Sequence, residues 1–272
     1  MLLRRDDTRD YDELRPLSIH YEGLDRVDGS ARFGFGECKQ TSLASVSGPI
    51  EVRLNAEQPS KATFEVLLRP LSNVPGTESK SLSTSLRTLL TPSLLLSRYP
   101  RTLIQLVVQS LTPSISSRFH PSLIAAFINV STLTLLNAGS IPMRGVICAV
   151  SVGRLRSSAS ATSSSALVLD LSERELSLAD VYGCFAFMFS AELTGSPTSD
   201  AIPPHGIVWS NWQSTTGAFD EDDVMRAKEL AGVGARKVWV AMKESLGAKA
   251  NKTVSHPVAQ EHPRVDDAQM EI

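Results

Sequence analysis

The sequence predicts a mixed α+β layered domain, and three observations carry that prediction. Residues 30–69 alternate apolar and polar side chains in several short runs. Residues 122–138 are apolar nearly all round. Strand-like and helix-like runs follow one another as strands, helix, strand, helix, strands, helix, which is not the strict alternation of a Rossmann fold. With 42% apolar residues in 272, the chain can bury a real core.

Taken in order, residues 1–19 form a polar, densely charged opening segment. Asp28-Gly29 is a turn signal. Ala31, Phe33 and Phe35 then alternate with Ser30, Arg32 and Gly34, which is strand periodicity. Residues 41–47 read as a small-residue strand closing at Gly48-Pro49, and Ile50, Val52 and Leu54 alternate after it. Ala62, Phe64, Val66 and Leu68 mark a further strand. Residues 79–96 carry helical spacing that Pro92 bends or ends. In 102–111, Leu103, Gln105, Val107 and Gln109 share one face of a strand.

The apolar run 122–138 predicts a buried helix, with Gly139 at its C′ position and Pro142 blocking extension. Residues 146–152 and 166–169 read as paired strands, joined by a low-complexity mobile loop at 153–165 that carries Arg154 and Arg156. Phe185, Phe187 and Phe189 share a strand face, with 207–212 as its partner and a loop at 192–206 between them. Asp220 caps a last helix whose apolar stripe runs from Val224 to Leu246 and which Gly247 ends. The expected organisation is one domain over 1–247, followed by a disordered tail at 248–272.

The bulk numbers exclude several classes. A formal net charge of -2 does not suit a strongly basic, stand-alone nucleic-acid binder. Cys38, Cys148 and Cys184 are far apart, which argues against a zinc site or a disulfide framework. The charged N-terminus has no apolar core of signal-peptide length. Pro121, Asn129, Asn137, Gly139 and Pro142 interrupt the longest uncharged run, so no membrane span is expected.

Candidate chemistry is thin. Gly34-Phe35-Gly36 and Lys39 suggest a phosphate cradle, but the spacing departs from both the P-loop and the dinucleotide loop, so a strand end is the better reading. Asp170, Glu173 and Glu175 follow a strand end, where metal ligands often lie. Arg174 among them disfavours a divalent cation, and a solvated loop is expected instead. No serine sits in a G-x-S-x-G setting, and the five histidines show no metal spacing. The basic residues Arg87, Arg98, Arg101 and Arg118 lie on a helix and in loops, where they could hold phosphates without reading sequence.

The motifs together resemble a known family. Arg26, Asp28-Gly29-Ser30, Gly34/Gly36 and Val46-Ser47-Gly48-Pro49-Ile50-Glu51 look like the opening of an RNase PH-like domain. YPRTLIQLVVQSL at 99–111, the helix–turn–strand run at 122–153 and ALVLDLSERE at 166–175 resemble its later elements. The resemblance covers about 20–246. It implies an α+β fold of RNase PH-like (ribosomal protein S5 domain 2-like) type, with mixed sheets packed against helices. Within the family, the chain is most similar to ring subunits of the eukaryotic exosome core, of the exosome component 5 type.

That resemblance implies the rest. Active members carry a D-L-D-x-x-E-D-like string; here its first aspartate falls on Val168 and its last on Arg174, leaving Asp170 and Glu173. Active members also carry a phosphate-binding Gly-Thr-Arg turn; here that arginine falls near Leu123. Arg87 stands where one helix arginine is expected, with Thr84 near its usual neighbour, and Arg118 could partly stand in for the lost turn. The implied protein is non-catalytic, with no metal and no cofactor. Its partners would be other RNase PH-like subunits in a heterohexameric ring, exosome cap proteins, a separate nuclease subunit and single-stranded RNA in the channel. RNA contact would fall to Arg87, Arg98, Arg101 and Arg118; no membrane and no DNA are expected. Location would be the nucleus and nucleolus, and also the cytoplasm. The competing readings are a phosphate-dependent 3'-5' exoribonuclease using Asp170, Glu173, Arg87 and Arg118, and a free-standing RNA-binding module.

Overall fold

Alternation in the strands and an all-round apolar helix make two sheets with a helix between them. The computed structural model describes residues 5, 8–36, 41–72, 74–113, 119–156, 165–191, 202–215 and 220–254. The first sheet has the order β1-β2-β3-β5-β4, from Leu17–Tyr21 (β1), Gly29–Phe35 (β2), Ser42–Glu51 (β3), Thr63–Arg69 (β4) and Thr102–Ser110 (β5). Its neighbours are antiparallel except β4 and β5, which run parallel. The link between these two is α1 (Thr77–Leu90), as a parallel pair requires a crossover. The second sheet is antiparallel, in the order β7-β6-β8-β9, from Val146–Arg156 (β6), Ser165–Leu169 (β7), Ala179–Phe189 (β8) and His205–Ser214 (β9).

Helix α2 (Pro121–Ala138) packs on β2, β3 and β5 on one side and on β6 and β8 on the other. That is why its sequence has no polar stripe. Its buried polar groups tie it to both sheets. Asn129 donates to the Ala149 carbonyl at 2.9 Å and accepts from the Ala149 N–H at 2.8 Å, while Thr134 donates to the Ala44 carbonyl. Gly139 closes the helix at φ 65°, as predicted. Although α2 is long and apolar enough to cross a membrane, it is enclosed between the sheets. The last helix, α4 (Glu221–Val254), lays Ala227, Ala231, Ala235, Val238 and Met242 onto the other face of the second sheet.

The strand faces agree with the sequence. Ala31, Phe33 and Phe35 point inward; Ala31 stands opposite Ala44 and Phe33 opposite Ser42, small residues of β3, while Phe35 pairs with Leu17 of β1. The Asp28-Gly29 signal has a second reason. A Cβ on Gly29 would sit 2.6 Å from the Thr134 carbonyl oxygen, so glycine lets β2 approach α2.

Five expectations need correction. The small-residue strand does not close at Gly48-Pro49; β3 passes through it to Glu51 with a register shift between Ser47 and Ile50. β6 runs to Arg156 and β7 starts at Ser165, so only 157–164 of the expected 153–165 loop is left, and it lies outside the described residues. His205 and Gly206 belong to β9, and 192–201 also lies outside the description. The N-terminal segment supplies β1 and, as shown below, buried ion pairs. Finally, α4 does not stop at Gly247 but continues to Val254. There Tyr21 bonds the Ser245 hydroxyl at 2.8 Å, and the Lys249 ammonium lies 5.0 Å from the Tyr21 ring and bonds Asn137. These contacts offset a glycine penalty of about 1 kcal/mol. Residues 255–272 lie outside the description.

Candidate functional site

At the N-terminal end of α2, the chain leaving β7 meets the N-terminal segment. Asp170 sits just past β7 with φ 55°, its N–H donating to the Ser151 carbonyl. Its carboxylate is fully buried. Arg15 grips it as a fork, through Nε at 2.8 Å and Nη2 at 2.6 Å, and the Arg15 backbone N–H adds a bond at 3.0 Å. The Ser122 hydroxyl donates at 3.2 Å and Arg9 stands at 3.5 Å. One turn on, Arg5 forks Glu175 at 2.8 and 3.1 Å and donates to the Asp170 carbonyl at 2.9 Å. Glu175 also closes a capping box with Ser172 over α3 (Glu173–Leu176).

Geometry and electrostatics agree. Burial alone would push the Glu175 carboxyl up, but the Arg5 guanidinium and the Ser172 backbone and hydroxyl hold it below the ordinary range. His120 caps α2 by accepting the Ser122 N–H at its Nδ1, and burial holds its pKa below the ordinary value. Protonation would remove that acceptor.

A carboxylate offers about four lone-pair sites. Those of Asp170 are taken by Arg15, Ser122 and Arg9. It is therefore an anchor for buried guanidinium groups and has no open position for a metal ion. Glu173 and Arg174 are exposed, and Val168 is buried. No group of three His, Cys, Asp or Glu among the described residues is arranged to hold a metal. The expected solvated loop is thus correct for Glu173 and wrong for Asp170 and Glu175, which are buried because arginines 155 and 170 positions away neutralise them. Sequence reasoning missed Arg5, Arg9 and Arg15. Their only local signal was the arginine density of a segment too polar to look buried.

The predicted basic residues lie elsewhere. Arg98 and Arg101 are exposed at the start of β5, beside the opposite end of α2: the Tyr99 hydroxyl donates to the Ser140 carbonyl, and the Leu95 N–H to Pro142. With 18 residues, α2 separates the two ends by about 27 Å. Arg101 pairs with Glu57 at 3.3 Å while 70% exposed. Arg87 is exposed in the last turn of α1. Arg118 lies outside the described residues, as do Cys38 and Lys39. The structure thus separates Arg98 and Arg101 from Asp170 by about the length of α2. Arg154 is not in a loop: on β6 it forks Asp180 at 3.0 and 2.8 Å and pairs with Asp223. Asp223, in the first turn of α4, thereby ties that helix to β6. Gly34-Phe35-Gly36 is a strand end, where Phe35 meets Phe33 edge-on at 5.1 Å and the Arg15 guanidinium lies 5.9 Å from the Phe35 ring.

Known proteins share this architecture. Residues 13–140 match the 3' exoribonuclease family, domain 1. The chain is 28% identical over 249 residues to the exosome complex component rrp46 of Schizosaccharomyces pombe, covering 92% of this chain and 96% of that protein. It is 29% identical over 249 residues to the exosome complex component Rrp41 of Archaeoglobus fulgidus, covering 88% and 85%. The crystal structure of rice (Oryza sativa) Rrp46 superposes with a TM-score of 0.69 at 25% identity, over 89% of this chain and 100% of that one. An archaeal exosome core chain matches in fold, with a TM-score of 0.63 over 88% and 91%. The two-sheet architecture, the domain match over residues 13–140 and the near full-length relatives make this chain similar to the RNase PH domain proteins of exosome cores.

Proposed function

We propose that this chain is a non-catalytic RNase PH-like subunit of an RNA exosome core ring, supporting 3'-5' RNA processing and degradation, including rRNA maturation, by assembly and RNA channelling. The observation that carries this is the state of Asp170. It is the buried survivor of an acidic string whose outer positions are Val168 and Arg174, and its oxygens are filled by Arg15, Ser122 and Arg9. Phosphorolysis needs charge stabilisation at the reacting phosphate. At this end of α2 the described cations Arg5, Arg9 and Arg15 face inward to carboxylates, and the family's phosphate-binding arginine falls near Leu123, in the first turn of α2.

The chain as far as the end of α4 at Val254 acts as a single domain in this reading. The partners are other RNase PH-like subunits in a heterohexameric ring, cap proteins and a separate nuclease subunit. RNA passes Arg87, Arg98, Arg101 and Arg118 as a cationic rim that binds phosphates without reading bases. Residues 42–51 supply no sheet edge for a neighbour, because β3 is central in its sheet. The subunit works in the nucleus, nucleolus and cytoplasm.

The test is a purified chain incubated with single-stranded RNA, magnesium and inorganic phosphate. The expected result is no phosphate-dependent shortening, together with assembly into a ring when RNase PH-like partners are co-expressed. Release of nucleoside diphosphates by the isolated chain would overturn the reading.

A further inference from the structure

β9 is an edge strand of the second sheet. Its ten residues, HGIVWSNWQS, include no Lys, Arg, Asp, Glu or Pro, the residues that ordinarily block edge pairing. Ile207 and Val208 are 39% and 37% exposed. Beside it runs an open groove of about 520 Å³. Trp209, Ser210 and Asn211 all line this groove. Successive strand side chains point to opposite faces, so three consecutive residues reach one groove only where it follows the strand's backbone edge. The opposite wall is one stripe of α1, Glu78, Ser81 and Ser85.

The chemistry of these walls selects the occupant. A strand edge offers N–H and C=O groups in a row, which an extended polypeptide matches. Among the described residues, Glu78 is the one ionisable side chain lining the groove, its carboxylate accepting the Phe119 N–H, and no cation lines it. An RNA backbone would bring phosphates against that wall without compensation.

We infer that the groove between β9 and α1 receives an extended, neutral-to-basic segment of a different polypeptide chain, which adds to β9 as a fifth strand of the second sheet. The stretch 209–213 spans about 16 Å of edge, so about five residues of the guest pair with it. The guest's side chains meet the Ser81 and Ser85 hydroxyls on one flank. That the guest belongs to a ring companion rests on the proposed function; the strand geometry does not.

Hydrogen exchange tests this, comparing peptides covering 205–214 in the purified chain with the same peptides in the native complex recovered from cells. The expected result is exchange slowed at least tenfold in the complex, and restored to the isolated rate in a Ser81→Lys/Ser85→Lys double variant. Lysine is a better helix former than serine, so this variant keeps α1 folded. Equal exchange in both states overturns the inference and leaves ring membership standing. Slowing that needs only an added single-stranded oligonucleotide, without another protein, makes the groove a nucleic-acid site and also overturns it. A chain recovered only as a monomer overturns both readings.

Discussion

The two ends of α2 carry arginines in opposite circumstances. At its N-terminal end, Arg5, Arg9 and Arg15 are drawn inward, three guanidinium groups sharing the two buried carboxylates of Asp170 and Glu175. Beyond its C-terminal end, Arg98 and Arg101 stand in water, and the pair of Arg101 with Glu57 is mostly solvated. The same residue type is structural at one end and available to a ligand at the other. Burial decides between the two, since removing one partner of a buried pair leaves a bare charge, whereas a solvated pair contributes almost nothing. Mutations at the two ends should therefore give opposite patterns: large losses of stability with no direct RNA effect at the first, and the reverse at the second.

The largest effect belongs to Asp170→Ala. It strips the carboxylate from Arg15 and Arg9 at once, and urea denaturation should show a loss of about 3–5 kcal/mol. Retention of wild-type stability would mean that the arginines reach water when the carboxylate goes. Arg154→Ala comes next. It leaves Asp180 and Asp223 facing each other without their shared cation, at a cost of about 2–4 kcal/mol by the same measurement. Its partial exposure places it below Asp170.

What was legible in the sequence divides along similar lines. The inward faces of β2, β4 and β5 and the burial of α2 follow from period-two alternation and an unbroken apolar run, which are local signals. The Asp170 site could not be read, because its cations lie 155 and more residues away in a segment whose composition suggests solvent. Arg154 was misplaced because GRLR runs straight into a serine-rich stretch, and only the pairing of β6 with β8 puts it opposite Val181. The length of α4 beyond Gly247 depends on Tyr21 and Asn137, more than a hundred residues earlier.

Acid should act on the N-terminal end of α2 in two steps. The folded pKa of His120 lies below the ordinary 6.5, so its contribution is complete above that pH and is lost as pH falls below it towards the folded value. Glu175 is depressed as well, so its contribution is present above the ordinary 4.5 and is lost as pH falls through its folded pKa. His120→Asn keeps a cap acceptor and cannot be protonated in this range. Melting temperature followed from pH 7 to 5 should fall less in that variant than in the wild type. An unchanged slope would assign the first step elsewhere, with His205, whose pKa is also lowered by burial, the next group to replace.

The smallest stability effects belong to the exposed end, and there the absence of an effect is informative. Arg98→Ala and Arg101→Ala should each change unfolding free energy by no more than about 0.5 kcal/mol, as solvated positions do. If these residues hold phosphates, each substitution should weaken single-stranded RNA binding similarly for any sequence and lower the slope of log affinity against log salt by about 0.7. Arg87→Ala, on the exposed side of α1, extends the series. A residue that loses neither stability nor salt slope plays no part in the rim, and one that loses stability belongs with Arg15. The paired readout thus sorts every arginine on the surface by what its charge is balanced against, carboxylate or phosphate.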